Sequence, residues 1–217
     1  MSSIKLKHSS GNSMSIQAPA TNPASDLALK LPATVGTAGQ VLKNSSTAGT
    51  LEFGNAGGIT EVDKWRVTSN ATGTTLGDPI SSNWERVDNT NPSQGMPIGT
   101  GMSVSSGIWT FPSTGKWWIK FKSDFLVEDT NVRYIEAVLQ LTNDNGSNWD
   151  NRAYGYGNLY DSDNWTYGSV FADTFLDVTN TSNDKVKVKL TSSFTCIMMG
   201  STNDTHTSLT FIRLGDT

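Results

Sequence analysis

The sequence holds little from which a covalent or metal-held framework could be built: 217 residues include one cysteine, Cys196, and two histidines, His8 and His206. A single cysteine excludes any intrachain disulfide, and with it the disulfide-built secreted scaffolds. Cys196 stands between Thr195 and Ile197 in an apolar run, where a small buried hydrophobe is expected. His8 and His206 fall in different parts of the chain, and neither H-E-x-x-H nor a paired C-x-x-C occurs, so no zinc site is expected. The G-x-S-x-G nucleophile elbow and the phosphate-cradling G-x-x-x-x-G-K are missing too. Sixteen basic residues against twenty acidic ones leave a formal charge of −4. The charges are spread along the chain, which excludes a basic field for nucleic acid or for an anionic membrane. No stretch approaches the roughly 20 apolar residues of a membrane-spanning helix, and Met1–His8 lacks the apolar run of a signal peptide. A soluble protein made in the cytosol, without membrane insertion, is expected.

Aromatic residues are scarce in one part only. Residues 1–64 contain a single one, Phe53, whereas the rest of the chain holds all seven Trp, all five Tyr and seven Phe. A segment so poor in bulky side chains cannot bury enough surface to offset the entropy of ordering its backbone, and must take order from partners. The aromatic-rich remainder has material for a core, and about 150 residues would bury roughly 70% of their unfolded-chain surface. The chain therefore divides into an N-terminal arm, residues 1–58, and a knob, residues 59–217, with Asn55-Ala-Gly-Gly58 as the hinge.

Apolar residues seldom recur at helical spacing, and Gly, Ser, Thr and Asn interrupt nearly every window, so an all-β chain is expected. In the arm, Ile4–Lys7, Ser13–Ile16, Leu27–Leu31, Gln40–Leu42 and Thr50–Phe53 read as short strands between Pro and Gly turns. In the knob, Gly115–Lys122 places Trp117, Ile119 and Phe121 on one face and Trp118, Lys120 and Lys122 on the other. Tyr134–Thr142 groups Ile135, Ala137, Leu139 and Leu141. Lys185–Leu190 and Ser208–Leu214 alternate likewise. Ser169–Val178 has two demanding faces, because Phe171, Asp173, Phe175 and Asp177 oppose its apolar set. Eight or more strands with turns such as Asn143-Asp-Asn-Gly146 indicate an antiparallel sandwich or jelly roll. Phe or Trp on an outer face needs another cover, and so does the arm; a symmetric homo-oligomer supplies both.

Gly107-Ile-Trp-Thr-Phe-Pro-Ser-Thr-Gly115, followed by Lys116-Trp-Trp-Ile-Lys-Phe121, resembles the strand, P-x-x-G turn and aromatic strand of the trimeric jelly roll of complement globular heads and tumour-necrosis-factor (TNF)-like proteins. Leu176–Val188 and Ser208–Leu214 are similar to later parts of that family, by motif order over roughly residues 60–217. Leu31–Asn44 and Ala48–Gly54 resemble the N-terminal module of appendage proteins of tailed phages of marine bacteria. Trp65–Ser69, Ser82–Arg86 and Phe211–Thr217 are similar to further pieces of those proteins. The resemblance implies a homotrimer, with an attachment arm or stalk joined to other virion proteins and a jelly-roll knob.

The stretch Ala153–Gly168 has the Tyr, Trp, Gly, Ser and Asn palette of binding loops, and Tyr154, Tyr156, Tyr160, Trp165 and Tyr167 are the candidate receptor-binding residues. Aromatic faces beside Asp and Asn suit sugars. The competing reading is that Tyr154, Tyr156 and Tyr167 flank a hairpin and pack between subunits. Acidic turns at Glu128-Asp129, Asp144 with Asp150, and Asp161-Ser-Asp163 raise calcium as a minor alternative to solvated turn residues. No cofactor is expected. The function expected is a non-enzymatic virion structural protein, a tail fibre or receptor-binding appendage whose knob meets a host surface glycan or protein. The alternative is a head fibre or capsid decoration protein. A glycan depolymerase is a third, less favoured class, since no repetitive β-helix pattern occurs.

Overall fold

A computed structural model describes residues 3–7, 9–11, 13–17, 20–21, 23–24, 28–55, 57–88, 97–128, 131–160 and 165–217. Among these there is no helix. The chain separates into two compact units, 1–57 and 58–217.

The first unit contains two antiparallel hairpins. In one, β1 (Ser3–Lys7) pairs with β2 (Ser13–Gln17); in the other, β3 (Gln40–Asn44) pairs with β4 (Leu51–Asn55). None of its described side chains is buried, and Leu29, Leu31, Val35 and Leu42 stand exposed. Phe53 lies against Gly36, where a β-carbon would collide with the ring. The strand expected over Leu27–Leu31 does not form. Leu27 lies outside the described residues, and the rest makes a single parallel bridge from Lys30 to Thr50 before Pro32, which lacks an N–H and restricts the residue before it.

The second unit is a sandwich of two antiparallel layers, with no helix among its described residues. The first layer runs in the order β7 (Trp84–Arg86), β5 (Val62–Val67), β15 (Ser208–Gly215), β10 (Gly115–Val127), β13 (Thr166–Val178). In the second, β12 (Asp150–Leu159) pairs with β11 (Val132–Thr142) and β11 with β14 (Lys185–Met198). Beyond β14 lie β6 (Ala71–Gly77) and β9 (Ile108–Thr110), the latter paired with β8 (Ser103–Ser105). The layers join at one corner, where Phe125 and Leu126 pair with Met198 and Ile197.

The alternation seen in the sequence fills the space between them. Trp117, Ile119 and Phe121 from β10, with Leu209 and Phe211 from β15, meet Ile135, Ala137 and Leu139 from β11 and Val186, Val188 and Leu190 from β14, all buried. Trp109 is wholly buried, with Trp65, Trp84 and Phe211 at centroid distances of 5.0, 5.3 and 5.2 Å. Phe111 and Trp117, on either side of the Pro112-Ser-Thr-Gly115 turn, pack at 5.2 Å. Cys196 is buried, and burial pushes its thiol pKa up despite a hydrogen bond from Ser192.

Strand directions give the knob two ends. The chain enters beside Glu61, whose carbonyl accepts from Arg213 N, at the end where β15 finishes. The connections leaving β10, β12 and β14 gather at the opposite, distal end.

Candidate functional site

Two sheet faces point away from the core, and both carry aromatic side chains. On the first layer, Val62, Ile212, Trp118 and Phe175 lie in register across β5, β15, β10 and β13. The next row is Lys64, Thr210, Lys120 and Asp173, and Lys122 then faces Phe171. Phe171 is 50% and Phe175 67% exposed in the single protomer. Trp118 is half-buried, donates from Nε1 to Asp173 Oδ2 at 3.1 Å, and has Lys120 Nζ 5.9 Å from its ring. A notch of about 310 Å³ opens beside Phe175, lined also by Lys116, Leu176, Asp177, Leu214 and Gly215. Burial, reinforced by the like charges of Lys122 and Lys120, draws the Lys64 pKa below its ordinary value. The face thus combines apolar surface with an ammonium group, Lys64, that is already partly out of water.

Toward the distal end of the same face, Asp124 is the centre of a polar cluster. It accepts from Ser169 Oγ at 2.6 Å and Lys122 Nζ at 2.9 Å, and lies 3.4 Å from His206 Nδ1. Burial opposes its charge, but these bonds and the Lys122 charge outweigh that and hold the carboxyl below its ordinary pKa. Both Ser169 and His206 turn to the carboxylate, so the geometry does not pair nucleophile with base. Tyr167, Gly168 and Met199 complete the lining of this cleft.

On the second layer, Tyr154 and Tyr156 stand on β12 with parallel rings, 5° between planes and 6.1 Å between centroids. Asn151 Nδ2 donates to the Tyr154 hydroxyl at 2.7 Å, and the Tyr156 hydroxyl donates to Glu136 Oε2 at 2.9 Å. That bond raises the Tyr156 pKa. The five aromatic residues singled out in the sequence are therefore divided. Tyr154 and Tyr156 belong to the second layer, Tyr167 to the first, and Tyr160 and Trp165 to the distal β12–β13 connection. Much of the stretch read as a binding loop is strand, β12 as far as Leu159 and β13 from Thr166. The reason is its period of two: Gly155 and Leu159 are buried, and Tyr154, Tyr156 and Asn158, at the alternate positions, are exposed.

Sequence reasoning missed the exposed Tyr134 and Phe194, which no composition signal separates from core aromatics. It also missed the buried polar network beside β5. Asp144 is used within its own turn, accepting from Thr142 Oγ1, Asn148 N and Asn148 Nδ2, which hold its pKa at about 2. Asp129, Asp161, Asp163 and His8 lie outside the described residues, and among the described residues no three His, Cys, Asp or Glu side chains cluster as metal ligands.

No family model matches the sequence, and no curated protein matches it. Solved structures do. The chain is similar to Eiger TNF from S. frugiperda, with TM-score 0.54 and 14% identity over 73% of this chain and 95% of that one. The knob has the TNF-like jelly-roll fold. Murine APRIL matches at TM-score 0.48 and 15% identity, over 71% of this chain and 98% of that one. At such identities the likeness of the TNF-like knob concerns the fold, and function rests on its own surfaces.

Proposed function

We propose that the protein is a non-enzymatic adhesion subunit of a tailed-phage virion, a homotrimer of TNF-like knobs held to the particle by the N-terminal arm and meeting the host surface with the knob. The observation that carries the reading is the outer face of the first layer. Val62, Ile212, Trp118, Phe175 and Phe171 form an apolar surface there that a monomer would leave in water. A ring of three copies covers it, and the aromatic surfaces left over are then presented in triplicate. Weak sites displayed together gain through effective concentration when a surface engages them at once. The arm, in which no described side chain is buried, fits a segment that takes its order from sister chains or from the virion. Its assignment to a phage particle draws support from the sequence likeness over Leu31–Asn44 and Ala48–Gly54.

Sedimentation of the purified chain tests the assembly. The mass expected at micromolar concentration is three times the 23.4 kDa chain, in the presence of reducing agent. Phe171→Asp with Phe175→Asp should shift it to one chain, and a single-chain mass for the unaltered protein sinks the proposal. For the role on the particle, the isolated protein should compete with virions for adsorption to host cells. Gold-labelled antibody on tail tips supports the tail-fibre reading, and label on the capsid would replace it with a head fibre.

A further inference from the structure

From the outer face of the second layer, we infer that the Tyr154–Tyr156 pair is a carbohydrate platform, and that its ligand is a neutral polysaccharide met as a surface and not in a pocket. The inference rests on the reading of the knob as an adhesion module and names the class of molecule it would hold. Three observations carry it. First, the two rings are parallel and fixed. Asn151 and Glu136 each tie one hydroxyl, so the aromatic planes are set before any ligand arrives and little rotamer entropy remains to be lost. Second, the rings are half to two-thirds exposed although Val138, opposite Tyr154 on β11, is buried, so the pair roofs the sheet and turns its remaining surface to solvent. A 6.1 Å separation is too small to hold a ring or a quaternary ammonium between them, so a ligand must lie on their outer surface. Third, the Glu136 carboxylate flanks Tyr156 and supplies acceptor oxygens at the edge of the pair, while Lys187 and Lys189 of the neighbouring β14 are drawn to Asp78 at 3.3 and 3.8 Å.

A pyranose chain matches this combination. Its C–H faces pack on rigid aromatic surface, and its hydroxyls donate to the Glu136 carboxylate. With Glu136 beside the pair and the β14 lysines Lys187 and Lys189 drawn to Asp78, the platform presents no net positive charge to a polyanion.

The test is affinity electrophoresis of the full-length protein through gels containing dextran, mannan or galactan, with alginate as the polyanionic comparison. Retardation by at least one neutral polymer is expected. Tyr154→Ala with Tyr156→Ala should weaken it by about tenfold or more, a loss equivalent to about 1.4 kcal/mol. The sedimentation mass should stay that of the unaltered protein. Tyr156→Phe keeps the ring, loses the bond to Glu136, and should retain most of the binding. The inference is overturned by no retardation in any of the three neutral gels, by retardation in alginate alone, or by a double variant that binds undiminished. A double variant that changes sedimentation mass also overturns it, because the pair is then a subunit contact. If the isolated protein blocks phage adsorption and the double variant blocks it equally, the platform is wrong while the adhesion reading stands.

Discussion

Asp63 is almost wholly buried, yet its carboxylate accepts hydrogen bonds from Trp65 Nε1, Arg86 Nε, Arg86 Nη2 and Met102 N. The bonds from Arg86 and Met102 tie different segments of the knob's entry region together, and Arg86 also lies over the Trp65 ring at 4.8 Å. Removing the carboxylate takes the counter-charge from the Arg86 guanidinium, which keeps only its bond to the Met102 carbonyl, and leaves two N–H donors without their acceptor. Asp63→Ala should therefore lower the unfolding free energy by about 3–5 kcal/mol, read from urea titration. Asp144 makes the opposite kind of contribution, local and confined to its own surface turn. Its folded pKa of about 2 lies below the ordinary 3.8, so its stabilisation is present above the ordinary value and is lost as pH falls through about 2. The carboxyl carbon of Asp144 should titrate in NMR with a midpoint near the lower value, and the melting temperatures of wild type and Asp144→Asn should converge across the same window. A turn at Asn143–Gly146 was legible from its composition. The partners of Asp63 were not, because nothing local in a sequence ties residue 63 to residues 86 and 102.

Strands with one buried face were readable because the pleat forces a period of two. β10, β11, β14 and β15 each carry the alternation that the residues announce, and β13 carries it with Phe171 and Phe175 on the outer side. β12 was harder. Its glycines and tyrosines have the composition of a loop, but the glycines are there for closeness: a β-carbon on Gly155 would run into the Phe171 carbonyl oxygen of β13, the edge strand of the other layer. Gly155→Ala should cost about 1–3 kcal/mol through overpacking, and amide hydrogen exchange should accelerate along β12 and β13 while β10 and β15 stay protected. The short β6 and β9 follow from pairing with β14, and β8 from pairing with β9, rather than from any alternation of their own.

At the scale of the whole molecule, every member of the buried core cluster lies between Val67 and Phe211, inside the 58–217 unit. The knob expressed alone as residues 58–217 should fold cooperatively, with a denaturant midpoint close to that of the full chain. A truncated protein that aggregates or lacks a single transition would make the arm part of the knob's own stability. The TNF-like sandwich also explains why both outer faces can carry aromatic residues without harm to the core. Each layer has one side committed to the other layer, and each leaves the opposite side outside the core.

Composition and periodicity alone determined that the chain is all-β, that its first sixty or so residues lack a core, and that β13 has two demanding faces, because these depend on side-chain volume and on the strand's repeat of two. Which aromatic residues share a surface was decided only by the tertiary structure. Strand order across two layers separates Tyr167 from Tyr154 and Tyr156, brings Glu136 to Tyr156 from twenty residues away, and sets Phe175 beside Trp118. Such neighbours are made by long-range pairing, and local sequence carries no record of it.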